Sequence, residues 1–170
     1  MTQQPATVLL VEDVPDTREM YADYLRHCGF NVTTATTGAE ALDAAREQIP
    51  DLILMDAAMP GLDGWTATRL LKNDPVTRNV PILILTAHVF PEHHNQAKEV
   101  GADGFIGKPC MPDDLAREVT SALDRWRGAR NTVSESDGGT PARPEATKRR
   151  SGRGRKRIRL AESRKKEGSA

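Results

Sequence analysis

Two hydrophobic rhythms alternate along this chain. Short, continuous apolar runs occur at TVLLVE (7–12), FNVTTA (30–35), DLILMD (51–56), VPILILT (80–86) and GFIGK (104–108). All five read as strands: TVLLVE as a buried one by its β-branched content and continuous apolarity, VPILILT as buried on both faces. Between them apolar residues recur at helical spacing. In 15–28 the set is Met20, Tyr21, Tyr24, Leu25 and Cys28, and Gly29 closes the segment. Thr37 and Glu40 form a capping box that opens a second helix, which runs to about Gln48 before Pro50 stops it. Further helices are predicted over 64–74, 92–100 and 112–126. The last carries an apolar stripe of Leu115, Val119, Ala122, Leu123 and Trp126.

Five strands alternating with five helices imply βαβ units and a parallel sheet covered on both sides. Right-handed crossovers make this an α/β doubly wound sandwich, in which ligands sit at the carboxyl ends of the strands. The pattern stops near residue 130. The expected organisation is a folded domain over 1–128, a disordered linker over 129–147 and a basic disordered tail over 148–170.

Charge sharpens that division. The totals cancel, 24 basic against 24 acidic residues, but residues 1–130 hold 12 Lys+Arg and 19 Asp+Glu (12 − 19 = −7). Residues 131–170 hold 12 and 5 (12 − 5 = +7). An acidic domain carrying a basic tail is the natural reading. The two cysteines, Cys28 and Cys110, are far apart and form no CxxC pair, so reduced and mostly packed thiols are expected rather than a disulfide or metal framework. The N-terminal stretch has neither a basic leader with a long apolar run nor a membrane span, which leads to the expectation of a cytoplasmic protein without membrane contact. His93 and His94 are adjacent and expected in solvent, His88 could border a cleft, and Trp65 and Trp126 are expected to pack.

The polar residues that end the strands carry the chemistry. The first strand ends at Glu12-Asp13, the third at Asp56, the fourth at Thr86 and the fifth at Lys108, followed by Pro109. Parallel strands share a direction, so three acids, a hydroxyl and an ammonium converge on one edge. Carboxylates held together repel unless a cation joins them. Mg2+ suits such an oxygen set. Aspartate beside that cation is a nucleophile for phosphoryl transfer, with Lys108 and Thr86 placed to meet phosphoryl oxygens.

With LLVEDVPD, LILMDAAMPGLDG, ILILTAH and GADGFIGKP, residues 7 to about 127 resemble the receiver domain of two-component response regulators, of the single-domain, CheY-like type. The resemblance implies a (βα)5 flavodoxin-like fold with strand order 2-1-3-4-5. It implies Asp56 as phosphoacceptor, and Mg2+ held by Glu12, Asp13, Asp56 and the backbone carbonyl of Ala58. Thr86 and Phe105 become the switch pair, Lys108 pairs with the phosphate, and the Lys108–Pro109 bond is cis. The donor is then the phosphohistidine of a sensor histidine kinase or histidine phosphotransfer protein. Phosphorylation draws Thr86 inward, Phe105 follows, and the surface of helix four, strand five and helix five changes for a downstream effector or a second copy of the chain. The protein is then a phosphorelay signalling module, not an enzyme beyond its own phosphorylation and dephosphorylation.

Two other readings are open. The Arg/Lys run over 148–170 suits nucleic-acid phosphates, with the receiver gating the contact. Its SGRGRKRIR segment has the Arg-Gly-Arg core of minor-groove hooks without the proline that usually follows. An aspartate-dependent phosphatase on a similar fold carries a second acid two residues after the nucleophile, where this chain has Ala58.

Overall fold

The computed structural model describes residues 4–87 and 91–134. Its elements are β1 (Thr7–Val11), α1 (Pro15–His27), β2 (Asn31–Ala35), α2 (Gly38–Glu47), β3 (Leu52–Asp56), α3 (Gly64–Asn73), β4 (Ile82–Thr86), α4 (Pro91–Val100), β5 (Gly104–Gly107) and α5 (Pro112–Ser134). The five strands pair in parallel in the order β2-β1-β3-β4-β5, the doubly wound α/β, flavodoxin-like arrangement expected of the sequence.

The period of two along each strand sorts the core into layers. Val8, Leu10, Leu52, Leu54, Leu83, Leu85 and Ile106 meet Tyr21 and Leu25 of α1 and Leu115 and Val119 of α5. Leu9, Val11, Ile53, Met55 and Ile82 meet Ala41 and Ala45 of α2 and Ala67 and Leu71 of α3. Ile84 packs with Val100 of α4, Trp65 and Phe105. Of the twelve largest fully buried side chains, nine lie on β1, β3 and β4. At about 1.5–3 kcal/mol for each such side chain, these central strands contribute more to the core than the helices do.

The structure departs from the sequence reading in several places. Glu12 and Lys108 lie one residue beyond their strands, although their amides still bond the neighbouring strands, at Ala35 O (3.1 Å) and Thr86 O (2.7 Å). On α1 the buried face is Tyr21, Ala22 and Leu25. Met20 is 46% exposed and Cys28 is exposed, so the expected stripe was too wide and the expectation of two packed thiols fails for Cys28. Both cysteines are free. Thr37 caps α2 through the Glu40 amide at 3.2 Å, but the Glu40 carboxylate bonds the amide and hydroxyl of Thr36 at 2.7 and 2.8 Å rather than closing the box on Thr37. Helix α5 runs to Ser134, past the boundary expected at 128. Gly128 costs only about 1 kcal/mol relative to alanine, and the next proline is Pro141, so nothing local stops the helix sooner. His88, the rest of the linker and the basic tail lie outside the described residues, as do the side chains of His93 and His94.

The β3–α3 connection is pressed onto the end of β3. A Cβ placed on Gly64 would lie 1.9 Å from the backbone oxygen of Asp56, whereas one on Gly128 would meet nothing within 4 Å. Gly64→Ala is therefore expected to lower stability by about 1–3 kcal/mol through overpacking. Gly128→Ala should not lower it. Urea unfolding midpoints at unchanged m-value check both.

Candidate functional site

Side-chain alternation decides which groups meet at the C-terminal edge of the sheet. Counting on by two from Leu10, Leu54 and Ile106, the residues on the α1/α5 side are Glu12, Asp56 and Lys108. The contacts follow that parity. Lys108 Nζ lies 2.6 Å from Glu12 Oε2 and 3.1 Å from Asp56 Oδ2, reaching across the end of β4 to β3 and β1. Asp13, next along the β1–α1 turn, completes a cluster in which Glu12, Asp13 and Asp56 each offer a carboxylate oxygen within 4.8 Å of the others.

Thr86 leaves β4 on the opposite side, the face of Ile84. It is buried at the same edge, and its carbonyl accepts the Lys108 amide at 2.7 Å. In the β4–β5 register Thr86 lies beside Gly107, and Ile84 lies beside Phe105. Phe105 is half-buried against Ile84, Val100 and Trp65. Thus Phe105 and Thr86 face the same side of the sheet, and the position next to Thr86 has no side chain.

The loop after Asp56 is held from several directions. Asp56 Oδ1 accepts from the Ala58 amide at 3.2 Å, and Ala58 itself is exposed. Met59 is buried among the α2/α3 core residues, and Gly61 takes a positive φ of 78°. Asp63, the second acid of the loop motif, turns away to cap α3, accepting from the Thr66 amide and hydroxyl, each at 2.9 Å. The Lys108–Pro109 peptide bond is cis.

Electrostatically the site is an over-charged acid cluster. Burial pushes the Glu12 carboxyl above its ordinary value of 4.5. The Lys108 hydrogen bond pulls it back, and the charge of Asp56 adds to the rise. Burial works to lower the Lys108 ammonium, but its hydrogen bonds to Glu12 and Asp56, with their charges, raise it above 10.5. Three carboxylates against one ammonium leave a formal 1 − 3 = −2. An all-carboxylate donor set with that residual charge and a half-exposed Asp13 fits a hard divalent cation that keeps part of its water, as Mg2+ does.

Sequence reasoning missed two supporting groups. Arg18 Nη1 donates to the backbone oxygens of Glu12 at 2.8 Å and Asp13 at 3.3 Å. The Tyr21 hydroxyl donates to the Cys110 oxygen at 3.0 Å, tying α1 to the β5–α5 loop. Both lie on α1, where polar contacts to distant loops leave no mark on hydrophobic periodicity.

Comparison with known proteins agrees with this geometry. The family model of the response regulator receiver domain matches residues 8–120. The chain is 34% identical over 119 residues to the polar-differentiation response regulator DivK of Brucella anthropi, covering 70% of this chain and 97% of that one. It is 33% identical over 134 residues to the response regulator Rre1 of Synechocystis, covering 78% of this chain but only 58% of that relative. Among solved structures, the receiver domain of the sensor histidine kinase PA1611 from Pseudomonas aeruginosa, described with magnesium in its active-site cleft, superposes with a TM-score of 0.64 at 34% identity. That match covers 73% of this chain and 98% of the other.

The raised Glu12 carboxyl gives a pH signature. Its folded value lies above the unfolded one, so the proton is held more tightly in the folded chain. The stability this contributes is complete below the unfolded value and is lost as pH rises through the folded value. Glu12→Gln has no such ionisation. In EDTA, the stability of wild type relative to Glu12→Gln should fall as pH rises above about 4.5. Urea unfolding across that range measures it.

Proposed function

We propose, for a chain that belongs to the response regulator receiver family, that Asp56 accepts a phosphoryl group from a phosphohistidine and that the resulting phosphoaspartate resets the β4–β5 face for an effector. The observation that carries this reading is the convergence of Glu12, Asp13 and Asp56 within 4.8 Å, with Lys108 bridging Glu12 and Asp56.

A carboxylate oxygen of Asp56 attacks phosphorus in line, the nitrogen–phosphorus bond of the donor breaks, and the electron pair leaves with the imidazole. Glu12, Asp13, Asp56 and the backbone carbonyl of Ala58 hold Mg2+, which when bound supplies neutralisation of the incoming phosphoryl oxygens. Lys108, already 3.1 Å from Asp56 Oδ2, shifts its hydrogen bond to a phosphoryl oxygen. The Thr86 hydroxyl takes up another. Phe105 follows Thr86 because both face one side of the sheet, with only Gly107 paired beside Thr86. The change is then delivered along α4, β5 and α5. The site is built to phosphorylate and dephosphorylate its own aspartate. With Ala58 in place of a second acid, turnover of external phosphate esters lacks a proton donor.

The phosphodonor is a sensor histidine kinase or histidine phosphotransfer protein. Its approach is supported by a groove of about 520 Å3 beside the site, whose lining includes Met20, Tyr21, Lys108, Pro109 and Met111. Met20 and Met111 are 46% and 65% exposed, and unbranched thioether side chains adapt to a partner's apolar surface. No helix among the described residues is long and apolar enough to cross a membrane.

Incubation with acetyl phosphate and Mg2+ should give a single phosphoryl adduct by intact mass, absent in Asp56→Asn and absent in EDTA. An adduct that persists in Asp56→Asn would sink the assignment. Met111→Glu should slow phosphotransfer from the cognate kinase by about tenfold, the size of one modest interface hot spot. It should leave the acetyl phosphate rate within about twofold. Equal slowing of both would place Met111 in the chemistry rather than in docking.

A further inference from the structure

We propose that Arg18 is a positioning residue of the acidic site, setting its Mg2+ affinity by locking the turn that carries Glu12 and Asp13; this rests on the Mg2+ reading given above. At its helical end the turn is otherwise held by the Val14 amide, which donates to Glu12 Oε1 at a long 3.4 Å. Val14 occupies the N-cap of α1 and makes no side-chain cap, and Pro15 follows at the first helical position without an N–H. Arg18 sits one turn into α1. Its own amide bonds the Val14 oxygen at 2.9 Å, and its guanidinium turns back along the helix. One nitrogen, Nη1, then meets the backbone oxygens of two consecutive residues, Glu12 at 2.8 Å and Asp13 at 3.3 Å. Those are the two residues whose carboxylates join Asp56.

The physical need for such a lock follows from the charge. Glu12 and Asp13 are neighbours on one turn and both face Asp56. Their mutual repulsion is relieved most cheaply by a rotation of that turn. Arg18 opposes the rotation by tying both carbonyls to α1. Helix α1 is in turn fixed by Tyr21 and Leu25 in the core and by the Tyr21 hydroxyl on the Cys110 oxygen. The guanidinium is not simply a charge competing with the cation. It approaches carbonyl oxygens, and its field also reaches Glu40, whose carboxyl is held low by the Thr36 amide and hydroxyl with a contribution from Arg18. Geometry therefore outweighs charge, and removing Arg18 weakens cation binding instead of strengthening it.

The test is calorimetric titration of MgCl2 into the unphosphorylated full chain, comparing wild type, Arg18→Met and Arg18→Lys, with melting temperatures taken in EDTA. Arg18→Met should raise the Mg2+ Kd about tenfold, within the range for groups that orient metal ligands. Arg18→Lys should fall between, since a lysine keeps the charge without the planar donor group. Phosphorylation by acetyl phosphate should slow at limiting Mg2+ and return to within about twofold of wild type at saturating Mg2+. A Kd unchanged in Arg18→Met, with only the melting temperature lowered, would reduce Arg18 to a structural role. A tighter Kd would show that its charge dominates, and either result overturns the proposal. If Arg18→Met does not fold, a wild-type Kd in Arg18→Lys overturns it. Absence of Mg2+ binding in wild type would instead overturn the metal reading itself.

Discussion

The ammonium of Lys108, held between Glu12 and Asp56, is the interaction on which the rest of this sheet edge depends. Glu12 is fully buried and Asp56 nearly so, and neither carboxylate would tolerate that burial next to the other without a cation between them. The lysine compensates for part of the charge and leaves the remainder. That remainder makes the site useful. In the function proposed above, it is met by a divalent cation, and the assembled cations then make a place for a phosphoryl group. The arrangement is an acid cluster kept slightly short of neutrality by a rigid scaffold.

The scaffold can do this because its strands are parallel and the central three, β1, β3 and β4, are covered on both faces. All five carboxyl ends point to one edge, and the apolar side chains of β1, β3 and β4 fix the heights at which Glu12, Asp56 and Thr86 emerge. The connection after β3 adds rigidity. Asp63 caps α3, Met59 is buried, and Gly64 lets the chain lie against the Asp56 carbonyl, where no Cβ fits. The other side of Thr86 is the β4–β5 face. Gly107 pairs with Thr86, and Phe105 is only half-buried. The acid pocket thus adjoins the face that carries Thr86 and Phe105, a placement suited to a local charge change with a remote readout. The chain spans nearly the whole length of DivK and 58% of Rre1, so the module occurs both almost alone and with further sequence attached.

Much of this was legible in the residues themselves. The continuous apolar runs of β1, β3 and β4 suit a sheet buried on both faces, and their alternation with helical segments gives the strands their parallel direction. Direction in turn places Glu12, Asp13, Asp56, Thr86 and Lys108 at one edge, because their positions at strand ends are a property of the sequence. What tertiary structure decided are the features set by contacts between distant segments. Periodicity on α1 allowed a stripe including Met20 and Cys28. Packing against the sheet selected Tyr21, Ala22 and Leu25 as the buried face. Strand order brought β1 beside β3 and let Lys108 reach Glu12 as well as Asp56. The return of Arg18 to the Glu12 and Asp13 carbonyls has no signature in the pattern at all. A charged side chain on a half-exposed helical position looks the same in sequence whether it faces water or braces a loop, and only the fold distinguishes the two.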